Sequence, residues 1–507
     1  MRFWKLPYWI GNSLIFLRLL SGFLVFFPLL ANAGWWTPAD DEKLRHSIQQ
    51  LADQQCLSVP VTTWPLAWTD LSALDHADLP EHCRNAARRY VLDERARATG
   101  SGPRYGVTLS GANEPMLWRG FAASPRERAM VSASVGLSST RFDARLDASF
   151  ADSEQDKGRL DGSYMAAAMG NWALGVGAVD RWWGPGWQSS LVLSHNARPA
   201  PAVFISRMES TPFQSRWLSW IGHWQANIFV AQLEHQRDPA RSQLIGMRAS
   251  FKPASSLEIG LSRTIQWAGE GRPKGADTFF YALVGRDNAE SSGFASNQDD
   301  PSDQMAGFDV RYSRLLGENT LALYGQMIGE DEAGMMPAKY IYLAGAELGS
   351  HIGRGSQRWV LEASNTLVGA WLSEKLPGVA YEHMNYVTGL RYKSRNMGST
   401  WERDAEVLVL AFRQYFANQH ELGITLAHAN LNQEGVVRPG SLSPVPPLAL
   451  ASEATRTDVI GLSYRLPLAW GRFTLAAQHS TKNVPMVAGL PERSTVSASW
   501  EYRPARY

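Results

Sequence analysis

The sequence predicts an all-β protein: a transmembrane antiparallel β-barrel behind a small N-terminal α-helical bundle. Three observations point there. The chain opens like an export signal. No later stretch approaches 18 consecutive apolar residues, so no helix is long and apolar enough to cross a bilayer. Many segments nonetheless alternate apolar and polar residues, and only a closed barrel spans a membrane with half of each strand facing away from lipid.

The elements follow in order. Residues 1–33 read as a signal peptide. Arg2, Lys5 and Arg18 are the only charges before residue 40, the run Leu19–Leu30 is apolar, and Ala31-Asn32-Ala33 is a small-x-small cleavage site. The run is too short for a comfortable span of about 20 residues, and Pro28 interrupts it. The mature chain is therefore expected to start at Gly34. Losing the three cations takes the formal charge from +1 to −2. That balance gives no electrostatic reason to bind nucleic acid.

Residues 34–103 read as a helical unit. Thr37-Pro38 offers an N-cap with proline at the first helical position, and Asp40, Asp41 and Glu42 fill the first turn. Leu44, Ile48 and Leu51 follow at helical spacing. A second helix is expected from Asp78–Glu81 to about Ala98, ending before Gly100. Between them Thr62–Trp68 reads as extended, with a short helix near Asp70–Leu74. Cys56 and Cys83 both fall in this unit. In an oxidising periplasm they are expected to pair, stabilising the unit by about 3 kcal/mol. They lack the Cys-x-x-Cys spacing of a reactive pair.

Residues 104–507 read as the barrel. In Arg141–Phe150 the set Phe142, Ala144, Leu146, Ala148, Phe150 alternates without a break against Arg141, Asp143, Arg145, Asp147, Ser149. The pattern returns at Ile245–Phe251 with Arg248 and Ser250 opposite, and at Phe308–Tyr312 with Asp309 and Arg311 opposite. It returns again at Ile460–Leu466 and at Val496–Tyr502. The connections alternate in length. Lys482–Glu492, Asn432–Thr455 and Asp287–Gln304 are long, whereas Pro467–Trp470, Ala417–Gln419 and Leu315–Gly317 are short. The long series is expected outside the cell and the short one in the periplasm. At about 22 residues per strand and connection, the length suits roughly 16 to 20 strands. Such proteins usually end on an aromatic in register, which the barrel-assembly machinery reads. Here Trp500 and Tyr502 are in register, while Pro504 interrupts and Tyr507 is out of phase.

The polar set carries charges of both signs, which favours ion pairs and a filled lumen over a single-sign constriction. No catalytic, metal or cofactor site is expected. There is no Gly-x-Ser-x-Gly elbow, His420-Glu421 lacks a second histidine, and the pairs Glu234-His235 and Glu382-His383 would point to opposite faces of a strand.

One stretch stands apart. Asp180–Trp187 reads Asp-Arg-Trp-Trp-Gly-Pro-Gly-Trp, and a polar turn, Asn196-Ala-Arg-Pro199, follows. Together with Thr62-Thr-Trp-Pro-Leu66, these segments resemble the signature of the Wzi family of outer-membrane capsule-assembly proteins. The resemblance implies an 18-stranded barrel, plugged at one end by a periplasmic helical bundle. It also implies a lectin that binds capsular polysaccharide at the outer face and helps hold it to the cell. In a bacterium without a capsule, the partner would be another surface glycan. Arg181, Trp182, Trp183, Trp187, Asn196 and Arg198 are the carbohydrate-binding candidates. Each has a second reading. The tryptophans would sit in an interface belt or pack in the lumen, the arginines would pair with lumen carboxylates, and Asn196 would form a turn. Trp267 and Trp371 are equally open between belt residue and sugar platform. A diffusion channel for sugars or other small solutes is the alternative function.

Overall fold

A computed structural model describes residues 34–100, 103–153, 156–284, 301–333, 336–353, 355–369, 375–437 and 444–502. The expected leader, Trp371, most of Asp287–Gln304 and the tail with Pro504 and Tyr507 lie outside the described residues.

Eighteen antiparallel strands form one closed sheet. The first six are β1 (Arg104–Ala112), β2 (Ala129–Ser138), β3 (Phe142–Ala151), β4 (Tyr164–Met169), β5 (Trp172–Gly177) and β6 (Ala202–Arg207). Next come β7 (His223–Gln232), β8 (Gln243–Ala254), β9 (Leu257–Trp267), β10 (Ser302–Leu316), β11 (Asn319–Ala333), β12 (Met336–Ile352) and β13 (Gly355–Gly369). The last five are β14 (Glu406–Tyr415), β15 (Glu421–Leu431), β16 (Thr455–Leu468), β17 (Gly471–Ser480) and β18 (Ser494–Tyr502). Strand β1 pairs with β18, Leu109 opposite Trp500, and closes the barrel.

The wall is inside out relative to a soluble protein. Phe150, Phe308, Tyr312, Ile460, Leu462 and Val496 are exposed on its outer side. On the opposite phase of the strands, Arg248, Asp309 and Arg311 are buried in the lumen. The period-2 reading therefore holds in phase as well as in place. Tight turns such as Gly317-Glu318 and Ala469-Trp470 lie at the end where the helical unit joins β1. Apart from Met208–Gly222, the longer connections lie at the opposite rim.

The helical unit enters the lumen with its first helix, while its second helix stays partly exposed at the periplasmic end. Helix α1 (Glu42–Asp53) is buried over all 12 residues. Its N-cap is Asp41, which accepts from the Leu44 amide, rather than Thr37. Thr37 instead accepts from the Leu66 amide, and Trp36 bridges to Ala67, so the chain before Asp41 is held extended. Helix α2 (Ala86–Thr99) starts later than its acidic residues predict, capped by Asn85. Residues Glu81–Cys83 form a separate 3-10 turn, and Trp68–Asp75 another. The expected disulfide, Cys56–Cys83, ties the end of α1 to the first of these turns.

Charge pairs fix this unit to the wall on several sides. Asp53 is gripped by Arg311 at 2.6 and 2.9 Å, and Arg311 also donates to Glu347 at 2.8 Å. Glu42 pairs with Arg413 and Asp41 with Arg472. Arg248 binds Asp309 across the strands and donates to Thr62 and Thr63 of the unit. Burying these charges is costly unless each finds a partner. Every one named here does.

One element was not foreseen. Helix α3 (Ala276–Val284) lies in the long connection after β9. It packs on the outer side of the wall, against Ile245 and Ile265, and Arg263 caps its last carbonyls at 2.8 and 2.9 Å.

Arg311→Met should leave Asp53 buried without its cation and cost about 3–5 kcal/mol. Arg311→Lys should recover only part, because an ammonium cannot span two carboxylates as a guanidinium does. Denaturant unfolding followed by tryptophan fluorescence checks both.

Candidate functional site

The tryptophan-rich signature lies in the connection between β5 and β6, which dips from the long-loop rim into the lumen. There it meets the tip of the helical unit. Thr63-Trp64 pairs antiparallel with Trp182-Trp183, Thr63 opposite Trp183. The resulting cluster joins Trp64, Phe121 and Trp182, with Phe121 edge-on to Trp64 at 5.3 Å and to Trp182 at 5.4 Å. Phe121 comes from a third segment, the connection after β1, whose Ala123 amide donates to the Asp40 carbonyl.

Arg45 of α1 is the pin of this assembly. Its guanidinium lies between Phe121 and Trp187, 4.4 and 4.3 Å from the ring centroids. It donates to the Pro185 and Gly186 carbonyls at 2.7 and 2.9 Å. A buried cation between aromatic faces is held by the ring quadrupoles and by the turn's carbonyl dipoles. Trp182 Nε1 donates to the Gly186 carbonyl as well. The far side of the turn binds the wall. Glu362 accepts from the amides of Trp187 and Ser189 at 2.8 and 2.9 Å and from Tyr324 at 2.9 Å, while Trp187 Nε1 donates to Glu347. The Gly-Pro-Gly spacing fits this crowding. Gly184 has φ +136°, and a Cβ on Gly186 would collide with the Ser189 carbonyl.

The six candidates therefore come together inside the molecule. Trp182, Trp183 and Trp187 are buried, and no ring face is open to solvent. Of their two readings, packing in the lumen fits these surroundings. Arg181 stacks on Phe229 at 4.4 Å and Phe204 at 5.5 Å. Arg198 grips Asp161 through two bonds of 2.7 and 3.0 Å and Asp156 through one of 2.9 Å. Burial opposes its charge, but those two carboxylates raise its pKa above the ordinary value. Asn196 links connections: it donates to the Asn396 carbonyl and accepts from Arg395. A neighbouring cavity of about 30 Å³, lined in part by Arg181, Phe229 and Met397, has room for a water or two, not for a sugar.

The outer connections close over this cluster. Arg391 pairs with Glu402, and Glu382 accepts from Arg403, so the Glu382-His383 pair belongs to a connection, not a strand. Glu234-His235 also lies in a connection. Trp267 is edge-on to Phe279 of α3, a packing contact at the outer end of the wall. Cys56, His82 and Cys83 cluster at metal-ligand spacing, but the disulfide leaves no thiolate there to bind an ion.

His195 is wedged between Phe121 and Trp182 and donates through Nδ1 to the Phe121 carbonyl at 3.0 Å. Burial lowers its pKa from 6.5 to about 4, with Asp180 pulling the other way. Folding thus favours the neutral ring. Its contribution is complete above pH 6.5 and is lost as pH falls toward 4, a loss of roughly 3 kcal/mol. The unfolding midpoint should drop over that window, and His195→Asn should flatten this part of the profile. Gly186→Ala should cost about 1–3 kcal/mol by overpacking, read as a lower thermal midpoint of the folded barrel.

A closed 18-stranded barrel with a lipid-facing apolar belt is an outer-membrane protein, its helical unit at the periplasmic end and its long connections outside. Comparison with known proteins agrees. The family model "Capsule assembly protein Wzi" matches residues 104–493. A Klebsiella pneumoniae protein, an uncharacterized 55.8 kDa protein in the cps region, is 29% identical over 335 residues. The match spans 64% of this chain and 64% of that relative's length. Among solved structures, Wzi of Escherichia coli superposes with a TM-score of 0.78 at 22% identity, covering 94% of this chain and 100% of the other. That protein is described as a carbohydrate-binding β-barrel involved in group 1 capsule assembly. The present chain belongs to the Wzi family of capsule assembly proteins.

Proposed function

We propose that the protein is a lectin-like barrel that binds capsular or related surface polysaccharide and helps attach and assemble it at the cell surface. The observation that carries this reading is a filled lumen in a chain of the capsule assembly family. A polysaccharide has no passage through α1 and the signature turn, so the outer connections are the surface left for it. The carbohydrate binding described for the Escherichia coli protein, and the cps location of the Klebsiella relative, support the same partner.

The tryptophans of the signature take part indirectly. They hold the connection between β5 and β6 down and so give the outer connections a fixed base. Contact with the glycan falls to exposed residues of those connections. The channel reading needs a continuous aqueous path, which Arg45, Trp187 and Glu362 cross.

Purified protein in planar bilayers should therefore stay silent; steady open events would favour a channel. Co-sedimentation with the surface polysaccharide of its own source strain should retain the protein, and an unrelated polysaccharide should not. Loss of retention at every salt concentration would leave the fold standing and remove this function.

A further inference from the structure

At the periplasmic rim every described connection is a tight turn except Met208–Gly222. This segment does not hang below the barrel. It folds back along the outer side of the wall, where Trp220 meets the outward-facing Phe251 edge-on at 6.2 Å. Phe213 stacks on Trp224 at 4.6 Å, and Trp224 is the cross-strand partner of Phe251. Arg207, at the end of β6, lies over the Trp224 ring at 3.8 Å and donates to the Thr211 carbonyl. Met208 and Ser210 are bonded to Thr69 and Asp70 of the helical unit, and from Thr211 onward the segment is pinned to the lipid side. Beyond these contacts Trp217 is 85% exposed and Trp220 63% exposed, with Leu218 beside them.

The neighbouring wall is short. Strands β4, β5 and β6 have 6 residues each, whereas β10 to β13 have 15 to 17. Six residues at the usual tilt rise about 15 Å, against an apolar band of about 25 Å. A bilayer meeting such a wall must thin locally or be met by other apolar groups.

We propose that Met208–Gly222 is a membrane foot. It seats Trp217, Leu218 and Trp220 in the headgroup region of the periplasmic leaflet and completes the apolar belt beside the three short strands. The patch is continuous with the lipid-facing wall through Phe251 and Trp224, which is why its occupant is lipid. Indole rings favour that depth, apolar on their faces and polar at the N–H. Arg207 and the exposed Arg216 supply cations for lipid phosphates. The polar residues Gln214, Ser215 and Ser219 leave the segment amphipathic, as an interfacial element requires. This inference stands apart from the polysaccharide reading.

The test uses the full mature chain in phosphatidylethanolamine/phosphatidylglycerol vesicles. Both native cysteines are in the disulfide, so an added cysteine is the single free thiol. Trp217→Cys and Leu218→Cys carry a nitroxide, with Lys482→Cys in an outer connection as the water reference. Folding of each variant is checked by heat-modifiable gel mobility. The labels at 217 and 218 should be several-fold less accessible to an aqueous nickel chelate than the label at 482, and more accessible to oxygen. If one variant fails to fold, the other reports alone; if both fail, Ser219→Cys, whose side chain only touches the Arg216 carbonyl, replaces them with the same reading. Nickel accessibility equal to that at 482 would overturn the proposal and leave the segment as a surface for a soluble periplasmic partner.

Discussion

The contact among Arg311, Asp53 and Glu347 states the constraint on which the rest depends. A barrel in lipid must turn its charged residues inward, and an inward charge in a narrow lumen loses its water. Arg311 on β10 cannot be stable there alone. Glu347 on β12 supplies one carboxylate and Asp53, at the end of α1, supplies the other. The wall and the helical unit thus neutralise each other. The same logic joins Arg413 to Glu42 and Arg472 to Asp41. Removing the unit would take a carboxylate from each of these cations, leaving Arg311 with Glu347, Arg472 with Glu501 and Arg413 without its ion pair, which makes the plug part of the fold and not an ornament on it.

The signature turn extends this arrangement to the opposite rim. Its residues are large and apolar because they fill space between three segments that enter from two sides. Its carbonyls are free because proline and glycine leave the turn without ladder bonds. Arg45 uses those carbonyls, and Glu362 uses the amides that follow. The motif is thus a joint, in which an arginine from the helical unit and a glutamate from the wall close on one loop. That joint gives Trp-Trp-Gly-Pro-Gly-Trp a packing role between the helical unit and the wall.

How much of this was legible follows from where each signal resides. The strand at Arg141–Phe150 was read almost to the residue, because alternation and burial have the same period. The start of α1 was not, because Thr37 resembles a cap while its hydroxyl is engaged by Leu66, a contact that no local pattern records. Helix α3 escaped notice because nine residues packed on the lipid side show neither a long apolar run nor strand alternation. The candidate site was legible as a place and not as a role. Trp182, Trp183 and Trp187 announce a special turn, but ring faces that stack on sugar and ring faces that pack on Phe121 look the same in sequence. Arg45 and Glu362 were invisible as partners, since nothing local marks the buried cation on a helix or the one glutamate on a strand that will meet a loop.

A filled barrel divides the labour of its surfaces in a way an open one does not. The lumen is occupied by ion pairs and the aromatic joint, which tie the helical unit to the wall. Recognition then has to lie at the rims, where side chains are not committed to the fold. The outer rim has connections braced from below by Arg198, Asn196 and Arg395, so a glycan would meet a surface already ordered, with little entropy left to lose on binding. Among the described connections the inner rim has short turns except at Met208–Gly222, the segment next to the shortest strands. The asymmetry of the wall and the asymmetry of its aromatics thus coincide, and a barrel held at a fixed depth by that side presents its outer connections at a fixed height above the membrane.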